Sequence, residues 1–400
     1  MIIAGTLMLE APMRQMRLAA GWLLVEDGRI VEVHESDCPH TPDLGGDRHL
    51  VFPGFVDTHL HLPQFDCIGA DGLKLLPWLE QVIYPAEAQW EDADFAGAAT
   101  ERAIMQLLAR GTTSFAAYTT VHHDATRAAI RCAAEMNVRA IIGQTLMDQQ
   151  APPELIRPAQ QLLDETESLL SAGAVGRVTP AVTPRFAVSC SETLLRGCGA
   201  LTRAYDAPVQ THLAETQKEC QAVYDLHDKM DYTELYLQAE LLTPRTIFGH
   251  GIWLDAAARM LIAEAGSTIA HCPTANAFLN SGTMDRHAHH MAHVKTCLGS
   301  DLGAGTERGM VRVAQSMIQA AKSIGRLPPT PAEAWHQITI GNADALGFEQ
   351  VGRLQAGAEA DLLLIEPDVN WRQAVNPLAC LLYAWDDRWL DRVILRGQVR

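Results

Sequence analysis

Eight short apolar or β-branched runs, most of them separated by helical stretches, constrain the fold of this 400-residue chain most strongly. The runs occupy Val51–Thr58, Thr112–Tyr118, Arg139–Thr145, Arg177–Thr183, Pro208–Leu213, Thr246–Gly249, Ser267–Ala270 and Val294–Gly299. Strand–helix alternation favours parallel strands joined by crossovers, and eight such units predict a (β/α)8 TIM-type barrel of the α/β class. A doubly wound open sheet is the competing fold, but no Gly-x-Gly-x-x-Gly follows the first run.

The two ends of the chain differ from this alternating middle. Trp22–Val33 is typical of a hairpin with an Asp-Gly turn, and the far end carries strand-like runs such as Asp361–Ile365. Each piece is too short to bury a core by itself. We therefore expect residues 1–52 plus 356–400 to form one small composite β-sandwich-like domain, and residues 53–355 to form the barrel.

Composition narrows the classes of partner and compartment. Hydrophobic residues make up 48% and charged residues 20%, which predicts a large buried core. Lys plus Arg number 31 against 48 for Asp plus Glu, and the resulting charge of -17 disfavours binding to nucleic acid or to an anionic membrane. Nine cysteines without Cys-x-x-Cys spacing favour reduced thiols. With no secretory signal and no long apolar segment, a cytoplasmic protein is expected.

Residues suited to metal binding or proton transfer stand at the ends of five of the eight runs. In a barrel, the chemistry lies where the strands end at the carboxyl-terminal face. The residues at or just beyond these ends are His59 and His61, His212 with Glu215, His250, His271, and Asp301. We expect these ends to meet at one mouth, where the long segment from Leu62 to Trp90 is a candidate lid.

The pair His59-x-His61 predicts a metal site. Strand side chains alternate between faces, so residues two apart point the same way and their imidazoles can share one ion. Alone, such a pair is more often two surface histidines. With His212 and Asp301 at other strand ends, three imidazoles and one carboxylate suit zinc, and also other borderline divalent metals.

A single metal ion per chain is the simpler prediction. Two-metal sites in such barrels usually need a bridging ligand, often a carboxylated lysine at the end of the fourth strand. The chain has no lysine between Lys74 and Lys218, and the fourth run ends in Thr-Pro-Arg. His250 is then expected to be a hydrogen-bond partner beside the metal site and not a ligand.

Glu215 is the candidate proton carrier. A carboxyl group in a closed pocket can have its pKa raised towards neutrality, which suits general acid–base work. The alternative is a solvated glutamate in the turn before a helix, where acidic residues are common. Its place three residues after His212 favours the catalytic interpretation. Asp301 can both bind a metal and accept a proton.

The motifs around these residues resemble those of the amidohydrolase superfamily, and within it those of the guanine deaminases. The matching runs are Pro53–His61, His61–Phe65, Thr183–Ser191, Thr211–Glu215, Ala270–Pro273 and Leu298–Asp301. The first run is shared by many hydrolases. The Pro-Gln after His61 and the Thr-Pro-Arg-Phe-x-x-Ser-Cys-Ser run are far more specific, and the terminal β pieces fit the family as well.

The resemblance implies a substrate and the residues that contact it. The substrate is guanine, a purine, and Gln64, Arg185 and Phe186 contact it, with His212 and Glu215 beside them. A guanidinium and an amide can read the ring carbonyl and ring nitrogens by hydrogen bonds, and a phenyl face can pack on the flat ring. The resemblance also implies a homodimer.

The resemblance further implies a reaction, the hydrolytic deamination of guanine to xanthine and ammonia in guanine catabolism. It implies one zinc ion held by His59, His61, His212 and Asp301. Zinc lowers the pKa of a bound water, which then attacks the amino-bearing carbon. Asp301 takes up a proton, Glu215 protonates the adjacent ring nitrogen, and His250 steadies the tetrahedral intermediate.

Three other functions stay open. Deamination of a different aminated heterocycle, such as another aminopurine, a pterin or a triazine, would share the metal set and differ at Gln64, Arg185 and Phe186. An inactive barrel acting as a binding scaffold is disfavoured by the intact ligand set and Glu215. An amide or cyclic-amide hydrolase is disfavoured because the strand-four lysine is missing.

Overall fold

The computed structural model describes residues 1–400, arranged in two sheets with helices between the strands of the second. The strands are β1 (Ile2–Ala11), β2 (Gln15–Glu26), β3 (Arg29–His34), β4 (Leu44–Pro53), β5 (Phe55–His61), β6 (Thr112–Tyr118), β7 (Arg139–Leu146), β8 (Val178–Pro184), β9 (Val209–Leu213), β10 (Thr246–His250), β11 (Thr268–His271), β12 (Lys295–Leu298), β13 (Leu362–Ile365), β14 (Leu390–Leu395) and β15 (Gln398–Val399). The first predicted run is two strands, because the chain turns from β4 into β5 at Gly54.

The helices surround the second sheet. They are α1 (Leu75–Trp78), α2 (Tyr84–Ala88), α3 (Ala93–Leu108), α4 (His123–Glu135), α5 (Ala159–Ala172), α6 (Glu192–Tyr205), α7 (Gln217–Leu226), α8 (Tyr232–Gln238), α9 (Ala256–Ala265), α10 (Pro273–Phe278), α11 (Arg286–Met291), α12 (Met310–Ser323), α13 (Pro331–His336), α14 (Asn342–Ala345) and α15 (Pro377–Tyr383). None of them combines the length and apolar character needed to cross a lipid bilayer.

Strands β5 to β12 form the predicted barrel. All eight run parallel and pair in sequence order. At the seam between the first and last strands, the Asn342 amide donates to the carbonyl oxygens of Val56 and Leu298, at 2.7 and 2.8 Å. The backbone N–H of Asp301 donates to the His59 carbonyl oxygen at 2.8 Å. These bonds bring the two ends of the sheet together, and the (β/α)8 prediction is confirmed.

Both termini contribute to the other sheet, in the order β15-β14-β13-β4-β1-β2-β3. The predicted hairpin turn lies between β2 and β3, where Asp27 and Gly28 have φ angles of 48° and 77°. Two successive positive φ angles are what a type I′ turn requires, and Asp-Gly meets that requirement. One sheet therefore unites the two ends of the chain, as expected. The division of the chain at residues 52 and 356 stays a prediction.

A buried ion-pair cluster fastens this terminal sheet to the barrel. Arg177, just before β8, pairs with Glu359 and Asp361, and Arg139 at the start of β7 also pairs with Glu359. All of these charges lie at the amino-terminal ends of the barrel strands. The opposite, carboxyl-terminal mouth of the barrel is left for the loops that carry the candidate site.

Short helical turns between β5 and α3 cover that mouth. The chain passes through a 3-10 turn at Leu62–Cys67, then α1, a π-helical turn at Leu79–Ile83, and α2. The side chains of Leu75, Trp78 and Leu79 face the central cavity. The segment therefore has the placement expected of a lid, and whether it moves stays a prediction.

Candidate active site

Four side chains at the mouth of the barrel bring their ligand atoms within 4.8 Å of one another: those of His59, His61, His212 and Asp301, all buried. The Nε2 atoms of His61 and His212 are 3.0 Å apart. The Nε2 atoms of His59 and His61 each lie 3.5 Å from Asp301 Oδ1. The structure thus gathers the four residues that the sequence predicts as metal ligands.

The local backbone explains why these residues meet. His59 and His61 are two residues apart on β5, so both imidazoles project to the same side of the strand. Asp301 follows β12 with a φ angle of 49°, a conformation that turns its carboxylate back over the strand ends. A side chain at Gly299 would place its Cβ 2.6 Å from the Cβ of His59. Glycine is therefore needed there for β12 to approach β5 so closely.

The donor chemistry of the cluster fits a metal ion. His212 Nδ1 lies 2.6 Å from the carbonyl oxygen of Arg185, so this nitrogen carries the proton and Nε2 presents a lone pair. The buried Nε2 of His59 has no hydrogen-bond partner. Burial lowers the pKa of His59, His61 and His212, which keeps the three rings neutral. Converging lone pairs that lack donors are what a divalent cation satisfies.

Asp301 supplies the negative charge of the cluster. Burial by itself would raise its pKa, but the neighbouring imidazoles of His59 and His250 hold the pKa of Asp301 below its usual range. The carboxylate is therefore ionised and can act as a ligand or accept a proton. His250 Nε2 lies 3.8 Å from Asp301 Oδ2, so it faces the cluster from the side and does not join it.

Glu215 is buried beside this cluster, with 3% of its surface exposed. Its Oε1 accepts a hydrogen bond from the Ser281 hydroxyl at 2.7 Å, and its Oε2 lies 3.4 Å from His250 Nε2. Burial raises the pKa of Glu215 from 4.5 to about 7. His250 Nδ1 is in turn 2.9 Å from the side-chain oxygen of Asn276. Glu215 and His250 thus each have a fixed partner in the segment between β11 and α11.

The backbone of Glu215 is held just as firmly. The Glu219 carboxylate accepts hydrogen bonds from the N–H groups of Glu215 and Thr216, at 2.8 and 3.0 Å, as part of the capping box that begins α7. The Tyr232 hydroxyl donates to the same carboxylate at 2.9 Å. The alternative of a solvated glutamate before a helix is wrong, because α7 begins inside the barrel mouth and not in solvent.

The residues predicted to contact substrate line one cavity with the cluster. Gln64, Arg185, Phe186, His212 and Glu215 all face it, and together with its open mouth it encloses about 370 Å³. The pocket combines apolar walls with a few convergent polar groups, which is the usual composition of a small-molecule site.

Three polar residues that hold the site were not predicted from the sequence. Asn276 on α10 and Ser281 just beyond it follow the seventh run, and their position after a strand was the available signal. Glu87 accepts hydrogen bonds from Arg185 and Gln64. It lies on the one-turn helix α2, away from every strand end, so no pattern indicated it.

The remaining histidines of interest do not join the site. His271 ends β11, but it lies outside the group of four and both of its buried ring nitrogens lack partners. The histidine-rich helix α11 leaves His287 and His290 exposed. His289 on the same helix is buried, and its Nδ1 lies 2.9 Å from the Asp285 carbonyl oxygen.

Comparison with known proteins gives the family. Residues 50–400 match the sequence model of the Amidohydrolase family. This chain belongs to the amidohydrolase family. It is 32% identical over 399 residues to the guanine deaminase of Escherichia coli (strain K12), in an alignment covering 95% of this chain and 90% of that protein. It is 33% identical over 375 residues to the guanine deaminase of Homo sapiens, covering 88% of this chain and 83% of the relative.

Solved structures agree with this membership. The structure of the E. coli guanine deaminase superposes with a TM-score of 0.95 at 29% identity, covering 100% of this chain and 99% of that one. The guanine deaminase of C. acetobutylicum, with guanine bound in its active site, gives a TM-score of 0.92 at 28% identity, again covering 100% and 99%. An adenosine deaminase from Xanthomonas campestris with bound zinc is more distant, at 22% identity and a TM-score of 0.88 over 100% and 92%, and shares the fold.

Proposed function

We propose that this protein is a zinc-dependent guanine deaminase, which hydrolyses guanine to xanthine and ammonia. The observation that carries the proposal is the buried group of three histidines and Asp301 with Glu215 beside it, in one cavity with Arg185 and Gln64. Relatives named guanine deaminase, about one-third identical over most of the chain, support the same substrate.

Four residues would hold the zinc ion: His59, His61, His212 and Asp301. When bound, zinc activates water as a nucleophile at neutral pH. One ion per chain is proposed because the chain offers a single compact group of buried donors and no lysine between Lys74 and Lys218.

Glu215 is proposed to move the protons of the reaction. With a pKa of about 7, its carboxyl group can both give and take a proton near neutrality. It donates a proton to the ring nitrogen beside the amino-bearing carbon, and that carbon becomes more electrophilic. His250, 3.4 Å from Glu215, steadies the charge on the tetrahedral carbon's oxygen. Asp301 accepts one proton from the attacking water and passes it to the amino group, which leaves as ammonia. The hydroxyl left on the carbon returns its proton to Glu215 as the new carbonyl forms.

Gln64, Arg185 and Phe186 are proposed to hold the purine. The Arg185 guanidinium presents donors to ring acceptors, the Gln64 amide reads a second position, and the Phe186 ring packs on the flat heterocycle. Phe186 lies in the same wall as His212, with their rings 6.4 Å apart, so a purine on the phenyl face lies near the metal cluster.

A homodimer and a cytoplasmic location are also proposed. The homodimer rests on the family resemblance alone, and light scattering on purified protein tests it. All nine cysteines are free thiols, which suits a reducing compartment.

The test is a spectrophotometric assay of guanine turnover on purified, zinc-loaded protein, with ammonia measured in parallel and metal-stripped protein as the control. Metal-dependent formation of xanthine and ammonia is the expected result. If the protein deaminates another aminated heterocycle but not guanine, the proposed hydrolytic deamination holds and the proposed substrate is wrong. Absence of both turnover and metal binding would overturn the proposal in favour of a binding scaffold.

A further inference from the structure

Glu87 is a wholly buried carboxylate, with 0% of its surface exposed, and it contacts Arg185 and Gln64, two side chains that line the cavity. Both of its oxygens lie 2.7 Å from Arg185 Nη1, and its Oε1 lies 3.2 Å from Gln64 Nε2. It belongs to α2, within the segment that covers the mouth of the barrel. One carboxylate thus binds both of the polar side chains that are proposed to read the substrate.

This contact fixes the orientation of the Gln64 amide. A carboxylate paired with a guanidinium only accepts hydrogen bonds, so the Gln64 group facing Glu87 is its Nε2 and not its Oε1. The Gln64 Oε1 accepts no hydrogen bond from the protein, and Gln64 lines the cavity. Gly303 lies next to this oxygen: a Cβ at Gly303 would stand 2.8 Å from Gln64 Oε1, so the absence of a side chain there leaves space beside the oxygen. Gln64 therefore offers the substrate an acceptor.

Arg185 is fixed by the same segment. Its guanidinium carbon lies 5.5 Å from the centre of the Tyr84 ring, and Tyr84 and Glu87 belong to the same helix. Nη1 is used by Glu87, which leaves the other guanidinium donors for a ligand. Arg185 therefore presents donors to the cavity, while Gln64 presents an acceptor.

We propose that Glu87 is a positioning residue that sets substrate specificity, by making the cavity select a heterocycle that offers an acceptor to Arg185 and an N–H donor to Gln64. An oxopurine has this arrangement, because its ring carbonyl accepts and the neighbouring ring N–H donates. A 6-aminopurine reverses both polarities at the same edge. The inference rests on the proposed deamination of guanine and adds the group that enforces the choice of oxopurine.

The variant Glu87→Gln tests this polarity argument. Glutamine has almost the same volume, but its amide both donates and accepts, so it no longer dictates which end of the Gln64 amide faces the cavity. The readout is the inhibition constant of hypoxanthine and that of adenine against guanine turnover. These two purines lack the reacting 2-amino group and differ only at the edge in question. The matched control is Glu80→Gln, an exposed glutamate on the same segment.

In the Glu87→Gln variant we expect the hypoxanthine constant to rise by about tenfold, the cost of leaving the buried N–H of the ligand without its acceptor on Gln64. The adenine constant should change little or fall, and Glu80→Gln should match wild type. A merely structural role for Glu87 would weaken both inhibitors alike. An unchanged ratio of the two constants in a folded Glu87→Gln variant overturns the inference.

The Glu87→Gln variant leaves Arg185 as an uncompensated buried charge and can therefore fail to fold. A second variant tests the inference in that case. Glu87→Asp keeps the charge but withdraws the carboxylate by one methylene, so that it can no longer reach Arg185 and Gln64 together. We expect the hypoxanthine constant to rise about threefold, with the adenine constant unchanged. Equal changes in both constants contradict the inference. Wild-type protein that does not turn over guanine defeats the proposed function, whatever the variants do.

Discussion

The Oε2 atom of Glu215 lies 3.4 Å from the Nε2 atom of His250, and both side chains are almost completely buried. Each of the two has its own hydrogen-bond partner between β11 and α11, Ser281 for the carboxylate and Asn276 for the imidazole. A proton can therefore be held between two groups whose positions are fixed before any substrate binds.

The buried carboxyl group of Glu215 makes the stability of the metal-free protein depend on pH. Because burial raises its pKa from 4.5 to about 7, the folded chain binds this proton more tightly than the unfolded chain. The free energy of unfolding therefore falls as pH rises through that window, by about 3 kcal/mol from this group. Glutamine carries no charge, so the Glu215→Gln variant does not lose this stability. In denaturant unfolding of metal-stripped proteins, the free energy of unfolding of the variant minus that of wild type should grow from about pH 5 to about pH 8. A difference in the free energy of unfolding that does not vary with pH contradicts the raised pKa of Glu215.

Ser281 should matter to turnover and not to substrate binding. Its hydroxyl donates to Glu215 Oε1 at 2.7 Å, so Ser281→Ala frees the carboxyl group to rotate. We expect kcat for guanine to fall about tenfold with KM nearly unchanged. Thr283→Ala removes an exposed hydroxyl from the same loop and should leave both constants as they are. A rise in KM alone would mean that Ser281 serves the substrate and not Glu215.

Metal content should depend on Asp301. The Asp301→Ala variant removes the one carboxylate from the group of four, and with it the negative charge that favours a cation. We expect zinc per chain, measured by elemental analysis after dialysis, to fall by about tenfold or more. His290→Ala, at an exposed histidine, should retain wild-type zinc. Full zinc occupancy in Asp301→Ala would remove this residue from the ligand set.

Arg177 should matter to stability and not to chemistry. It is buried between Glu359 and Asp361, so Arg177→Ala leaves the buried Asp361 without its cation and Glu359 with Arg139 alone. We expect the free energy of unfolding to fall by about 3–5 kcal/mol, with the folded fraction keeping its specific activity. Arg196→Ala, at an exposed arginine on α6, should cost less than about 1 kcal/mol. Equal losses in the two variants would contradict the view that the cluster fastens the two sheets together.

The metal cluster was predictable because its signals are local. His59 and His61 share a face through strand alternation, and His212 and Asp301 follow runs whose parallel packing brings their ends together. The Asp27-Gly28 turn was predictable for the same kind of reason, since few residue pairs adopt two positive φ angles.

The features that could not be predicted from the sequence depend mostly on long-range packing. Glu87 meets Arg185 across 98 residues and Gln64 across 23, and its one-turn helix carries no periodic pattern. The burial of His289 likewise follows from the tertiary fold, because nothing in the polar sequence of α11 distinguishes its buried face from its exposed one. The boundary at Gly54 was missed because β4 and β5 follow each other without a loop that a composition change could reveal.

The central claim is that the metal cluster and Glu215 together deaminate guanine, and guanine turnover by zinc-loaded wild type beside Glu215→Gln tests it most directly. The account predicts xanthine and ammonia in equal amounts from wild type. It also predicts a loss of about 100-fold to 10,000-fold in kcat for the variant, with its zinc content unchanged. A variant that turns over guanine near the wild-type rate, or that has lost its zinc, would contradict the role given to Glu215, and an inactive zinc-loaded wild type would contradict the reaction itself.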